Sequence, residues 1–270
     1  MIHVHDSRKQ NNKEYSRKKS FVLILFISCC LAVFLPFFSV HPILFPSLTN
    51  TSQVIFMNKT NWRLKMLEEI DKHPDTHPRL LLHVCCAPCS SGCLEELCAH
   101  FDVTCFYFNP NISPREEFDR RACELERLTR EMPLGLPPRV KIGSYEPERF
   151  EEIARGLEDV PEGGERCFAC YRLRLEETAR HAREGGYDYF TTTLSISPLK
   201  NADKLNLIGG ELAETYGVPY LFSDFKKADG YLRSIQRSKE YHLYRQDWCG
   251  CIYSKKESER RRAEKEHAQA

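Results

Sequence analysis

The chain has 270 residues, 39 Lys+Arg against 38 Asp+Glu, and 41% hydrophobic residues. That length accommodates one large domain or two small ones, and the near-zero net charge excludes RNA binding through a global basic field, leaving only a local patch for it. Thirteen cysteines, grouped as Cys85-Cys86, Cys167-x-x-Cys170 and Cys249-x-Cys251, argue for a metal or redox site in a reducing compartment, because secreted disulfide frameworks suit shorter, loop-rich chains with an even count.

Residues 1–20 are polar and basic, and Phe21 to Val40 is apolar apart from Ser28 and Ser39, long enough to cross a bilayer. The basic flank would hold the N-terminus in the cytoplasm and place the rest outside, in conflict with reduced thiolates. Three readings compete: an export signal, a membrane anchor, and a stretch upstream of the true start. We favour the last, because Met57 opens MNKTNWRLKMLEEIDKH, with Trp62, Leu64, Met66, Leu67 and Ile70 at helical spacing. The expected organisation is an N-terminal extension over 1–56, a catalytic domain over 57–254 and a charged tail over 255–270. The expected location is cytoplasmic, with a membrane as partner only if residues 21–40 are translated and inserted. Cys29 and Cys30 are read as residues of the apolar run.

From residue 80 onward, strand and helix patterns alternate. Leu80, Leu81, Leu82 and Val84 read as a buried strand, Pro88, Ser90, Ser91 and Gly92 as turn chemistry, and Leu94, Leu97 and Cys98 as one helical face. Val103 to Phe108 is a second strand, closed by Asn109-Pro110-Asn111. Ser113 at the N-cap and Pro114 at the first helical position start a helix that turns Phe118, Ala122, Leu125 and Leu128 inward and ends near Pro133. Arg139 to Ile142 is a third strand, Pro147 to Leu157 a short helix and 158–166 a loop. Cys167 opens an amphipathic helix stopped by Gly185-Gly186, Tyr189 to Leu194 is a fourth strand, Leu205 to Ala213 a helix, and Pro219 to Phe222 a fifth strand. The repeated order predicts an α/β protein with a doubly wound, mostly parallel sheet covered by helices. Residues 255–270 read as a solvated helix or frayed tail.

Cys85 and Cys86 fall at the carboxyl end of a strand, in the crevice where α/β proteins bind ligands. Backbone N–H groups and a helix dipole there favour thiolates. With Cys167 and Cys170 they offer four sulfurs, which suit zinc or an iron–sulfur cluster; adjacent cysteines splay apart and favour a cluster or two neighbouring metals. Cys249 and Cys251, separated by Gly250, form either a strained, easily reduced pair or further metal ligands. Cys89 is a second-metal ligand, an acid or a packing residue, while Cys93, Cys98, Cys105 and Cys123 read as small core residues. His83 reads as a strand residue. Asp119-Arg120-Arg121 is either near the crevice or on a solvated face. Tyr107, Asn109 and Asn111 are pocket or turn residues, and Thr191 to Ser197 offers hydroxyls for phosphate or ribose. Lys226, Lys227, Arg233, Arg237 and Lys239, interleaved with Tyr231, Tyr241 and Tyr244, suit a single-stranded RNA loop or form an ordinary amphipathic surface. No phosphate-binding or dinucleotide glycine motif is present.

Taken in order, LLLHVCCAPCSSG, FYFNPNISPREEFDRR, RCFACYRLRLEETA, FTTTLSISPLKNADKLN and YRQDWCGCIYS resemble the QueH-type epoxyqueuosine reductases across residues 60–254. The resemblance implies reduction of epoxyqueuosine to queuosine at the wobble position of a tRNA, without cobalamin. It implies a fold similar to the adenine-nucleotide α-hydrolase (Rossmann-like) group, with a helical C-terminal part. Carried over by motif, Cys85, Cys86, Cys167 and Cys170 are the expected ligands of a [4Fe–4S] cluster, and Cys249 with Cys251 the redox-active pair. A second, mononuclear iron or zinc is also implied, with some of these cysteines, or Cys89 with Asp119, as its ligands. The implied partners are the anticodon loop of queuosine-family tRNA, gripped by 226–245, and an external low-potential electron donor. Removing an epoxide oxygen takes two electrons and a proton donor, and a neighbouring metal would polarise the oxygen as a Lewis acid. The competing readings are a zinc-binding tRNA module and a tRNA-thiolating enzyme on the same fold.

Overall fold

The computed structural model describes residues 60–269; the apolar run 21–40 with Cys29 and Cys30, and the candidate start at Met57, lie outside the described residues. Helix α1 (Trp62–Ile70) buries Met66 and Ile70 and leads into strand β1 (Arg79–His83). Then come α2 (Ala87–Leu97), β2 (Asp102–Tyr107), α3 (Arg115–Glu131), β3 (Arg139–Ile142), α4 (Pro147–Ala154), α5 (Glu165–Glu184) and β4 (Tyr189–Thr192). A 3₁₀ turn (Thr193–Ile196), α6 (Ala202–Tyr216), α7 (Gly230–Glu240) and α8 (Ile252–Gln269) complete the chain. Among the described residues no helix is long and apolar enough to cross a membrane.

All four strands are parallel, in the order β3-β2-β1-β4. β1 is central: Leu82 stands opposite Cys105 on one side and Thr191 on the other. Because side chains alternate along a strand, Leu80, Leu82 and Val84 enter one core with Leu94, Leu97, Phe118 and Leu125, whereas Leu81 enters a second with Leu175, Ala179, Leu205 and Ile208. Both faces of the sheet are therefore covered, which is why Leu80, Leu81 and Leu82 of β1 are consecutively apolar rather than alternating with polar residues. Each of its fully buried leucines contributes on the order of 1.5–3 kcal/mol. The chain builds outward from β1 through β2 to β3, then crosses back to place β4 on the other side of β1. That reversal opens a crevice beyond the carboxyl ends of β1 and β4, the place where open α/β sheets bind ligands.

The structure alters several expectations. Pro88 to Gly92 belongs to α2 rather than to a turn: Pro88 occupies the second helical position, where its missing N–H costs nothing, and the Ser90 and Ser91 hydroxyls donate to the Cys86 and Pro88 carbonyls at 2.8 and 3.0 Å. Gly92 is there for closeness, since a Cβ would stand 3.2 Å from the Gly230 carbonyl at the head of α7. Pro114, not Ser113, caps α3. The expected fifth strand reduces to a single bridge between Phe190 and Tyr220, because the Asn206 side chain then takes over the backbone, accepting from Ser223 N and donating to Ser223 O. Cys123 is exposed rather than a core residue: α3 turns Ala122 and Leu125 inward and leaves the intervening Cys123 outside. Residues 255–269, read as a solvated helix or a frayed tail, belong to α8.

Candidate active site

The crevice is a cavity of about 340 Å³ lined by Cys85, Cys86, Cys89 and Cys249 together with Arg121, Arg174 and Lys200. Sequence order explains the first three. β1 ends at His83, Val84 N still donates to Phe106 O at 2.9 Å, and α2 begins at Ala87, so Cys85 and Cys86 occupy the two-residue corner and Cys89 the first turn. Their sulfurs all lie within 4.8 Å of one another, and those of Cys85 and Cys86 stand 3.8 Å apart. His83 is a fully buried strand residue, as expected, bonded to Thr192 Oγ1 and the Phe108 carbonyl.

The three thiols divide one charge unevenly. Hydrogen bonds shared with Cys86 and Cys89, helped by Arg174 and opposed by burial, hold Cys85 well below the ordinary thiol range. Cys86, bonded to the Cys85 thiolate, is pushed up to about 12, and Cys89 is raised for the same reason. A bound cation would release the remaining protons, since thiolates are the form that ligates.

Cys167 and Cys170 sit in the first turns of α5. Cys167 accepts from Gly163 N at 3.2 Å and packs in the same buried cluster as Cys85 and Cys86. Cys170 faces elsewhere, packing with Cys249, Cys251, Phe150 and Ala154, and burial raises its thiol to about 11. The Cys249 and Cys251 sulfurs are 3.9 Å apart, each 3.3 Å from Ser254 Oγ. Gly250 between them has φ +121°, and its carbonyl accepts from Ser113 N at 3.0 Å. The hydrogen bond between the two sulfurs, aided by Lys200 and opposed by burial, keeps Cys249 well below its usual range and drives Cys251 up.

Three buried cations compensate this sulfur. Arg121 is paired with Glu117, donates to the Cys249 carbonyl at 3.1 Å and lies 5.0 Å from the Trp248 ring centre. Arg174 donates to Cys170 O and Asn109 Oδ1. Lys200 pairs with Glu162 at 3.2 Å, with side chains only 6% and 8% exposed. The sequence pattern did not single out Arg174, Lys200, Glu162 or Trp248; for Arg174 the signal was its i+4 spacing from Cys170, which puts the two on one helical face.

The structure does not bring Asp119 to the cavity. Helical periodicity turns Phe118 and Arg121 inward and leaves Asp119 exposed, where Arg115 Nε donates to it at 2.9 Å. Most of the Thr191–Ser197 hydroxyls are occupied internally: Thr191 donates to Leu221 O, and Thr192 accepts from Leu194 N. Of the hydroxyl residues in that run only Ser197 lines the cavity, beside Leu194 and Ile196. In the basic segment, Lys226 pairs with Asp224, Arg233 donates to Ala228 O, and Arg237 pairs with both Glu95 and Glu240. Lys227 and Lys239 are exposed, and Tyr231 and Ser234 reach the cavity wall.

The donor set fits a thiolate-bound metal. Thiolates about 2.3 Å from a tetrahedral ion stand about 3.8 Å from one another, the spacing of Cys85 and Cys86, and the surrounding cations offset the charge that such a site carries. Without such cations, buried thiolates would be an expensive arrangement.

The epoxyqueuosine reductase QueH family model matches residues 80–257. The chain is 40% identical over 195 residues to the epoxyqueuosine reductase QueH of Streptococcus pyogenes, a match covering 72% of this chain and 76% of that protein. It is 44% identical over 181 residues to that of Staphylococcus epidermidis (66% and 76%) and 35% identical over 188 residues to that of Thermotoga maritima (68% and 94%).

Proposed function

Because the chain belongs to the QueH epoxyqueuosine reductase family, we propose that its cavity deoxygenates epoxyqueuosine to queuosine within a tRNA, with electrons delivered through cysteine sulfur. The observation that carries this reading is the gathering of four thiols, Cys85, Cys86, Cys89 and Cys249, with three buried cations in one concave site. Cys85, Cys86, Cys167 and Cys170 would hold the [4Fe–4S] cluster, which supplies low-potential single electrons when bound. The position of Cys89 beside Cys85 and Cys86 supports a share in a second metal, iron or zinc.

The chain's own residues do the rest. Cys249, held below its usual range by its hydrogen bond with Cys251 and by Lys200 against burial, and Cys251, raised in turn, together form a reservoir of two electrons. Arg121 anchors the Cys249 carbonyl and so positions that sulfur at the cavity wall. Tyr231 and Trp248 present ring surfaces on which a base splayed out of an RNA loop can stack, an arrangement single-stranded loops permit. Lys227 and Lys239 are the exposed members of the basic segment that would meet phosphates, while Arg237 is engaged by two carboxylates. An external donor restores the sulfur electrons.

The test is anaerobic protein, loaded with iron and sulfide, given tRNA carrying epoxyqueuosine and a strong one-electron reductant. Digestion to nucleosides and mass spectrometry should show loss of one oxygen. Loaded protein that binds the tRNA and leaves the epoxide intact would sink the reading.

A further inference from the structure

Deoxygenation consumes protons as well as electrons, and the cavity contains few groups able to give one to an oxygen. Arg121, Arg174 and Arg245 line it, but a guanidinium stays protonated in proteins. Asp247 accepts from Arg262 and Ser258, which hold its carboxyl below the usual range against partial burial, so it carries no proton. Tyr231 is half-buried at the rim and is bonded by the exposed Arg245. Lys200 differs from these in its placement. Burial works against its charge, but Cys249, Tyr171 and Glu162 raise its pKa above the ordinary lysine value, so it arrives protonated and gives its proton only as the departing oxygen becomes strongly basic. Its side chain is 6% exposed and lines the same cavity as Cys85 and Cys249, and among the described residues its ammonium has Glu162 as its one hydrogen-bond partner, at 3.2 Å. An ammonium has three donors, so the Glu162 bond fixes the head and leaves others for a ligand. Glu162 is fixed in turn, its N–H donating to Glu257 Oε2 at 3.2 Å.

We propose that Lys200 is the catalytic acid that binds the epoxide oxygen and protonates it, with Glu162 as the residue that positions it. The inference rests on the reductase reading above. Both C–O bonds of the epoxide break and one C=C bond forms. Two electrons come from the Cys249 thiolate and the Cys251 thiol, which join as a disulfide. One proton comes from Cys251 and one from Lys200, and the oxygen leaves as water. Lys200 regains its proton from solvent, and a dithiol or low-potential electron carrier reduces the disulfide.

The experiment uses the full chain, loaded with metal, and single-turnover conversion of epoxyqueuosine tRNA. Lys200→Ala, Lys200→Arg and the double variant Lys200→Ala with Glu162→Gln are compared, the last because removing the lysine alone leaves a buried carboxylate unpaired. The expected result is iron content and tRNA affinity within about threefold of the parent, and a conversion rate lower by about 10²–10⁴, the range of a lost general acid. Lys200→Arg keeps the charge and should be equally slow. Small primary amines should restore conversion in both alanine variants, with a rate that follows amine acidity, a response that a merely structural lysine does not give. Arginine at 200 reacting as fast as the parent, or slow, tRNA-binding alanine variants that no amine rescues, would overturn the assignment. A parent enzyme that binds tRNA but leaves the epoxide intact would instead sink the reductase reading, and the acid with it.

Discussion

Two sets of thiols meet at one cavity and are held there by different means. Cys85, Cys86 and Cys89 come from a single corner, where a fully buried central strand passes into a helix, and the backbone itself sets their sulfurs within 4.8 Å. Cys249 and Cys251 arrive much later in the chain, on a segment tied down by Arg121 of α3 on the Cys249 carbonyl and, locally, by Ser254 within reach of both sulfurs. The first arrangement is rigid and convergent, which suits a metal that requires preset donors. The second is a lone pair of thiols two residues apart, their sulfurs 3.9 Å from each other, which suits a dithiol that cycles. What supports a cysteine therefore says more about its chemistry than how many cysteines surround it.

The sharpest way to break this contrast is Cys86→Ala. It should abolish both metal loading and conversion, read as iron and sulfide per chain and as queuosine formed; full metal content would show that the corner is not the metal's seat. Cys249→Ser should leave metal loading intact and lower repeated turnover by about a hundredfold or more, because a serine holds no electrons to give. If Cys249→Ser instead loses iron, the two sets are one ligand shell and the contrast fails. Gly250→Ala is milder. The residue would be strained at φ +121°, and its Cβ would come 2.7 Å from Ile112. A loss of about 1–3 kcal/mol in denaturant unfolding is expected, with turnover falling more than metal content. Lys227→Ala should weaken tRNA binding and flatten its salt dependence by about 0.7–0.9 of a slope unit per lost phosphate contact, with neither thiol set affected.

The smallest effect concerns a control remote from the sulfur. His181 on α5 lies edge-on to Phe106 at 4.7 Å, and burial, with Lys141 and Arg180 nearby, lowers its pKa from 6.5. The unfolded chain therefore takes up this proton at a higher pH than the folded one. The contribution of the neutral ring to stability is complete above pH 6.5 and is lost as pH falls below it. His181→Gln should flatten the thermal-melting profile across that window without altering metal loading; an unchanged profile would show that the ring does not titrate there.

Much of this was legible in the sequence for a simple reason. A strand buried on both faces has to be apolar throughout, so Leu80 to Val84 announced the centre of the sheet, and cysteines directly after it fell at the end where ligands bind. Local patterns could not show that Ser90 and Ser91 would satisfy helix carbonyls instead of forming a turn, nor that Asn206 would take the hydrogen bonds of a fifth strand. The sequence pattern did not single out Arg174 or Lys200, and it placed Arg121 either near the crevice or on a solvated face, because a sequence does not show which helical face meets which crevice. Asp119 failed to reach the cavity by the same geometry: two residues further along α3, Arg121 takes the inward position.

The sequence by itself therefore determined the parallel α/β order, the family and the cysteines at stake, since these depend on hydrophobic period and local spacing. Only the tertiary structure decided which thiols converge, which cations face them and where a proton donor stands. Those relations join residues distant in the chain, and they exist only once β4 has crossed back beside β1 and the C-terminal segment has closed over the gap.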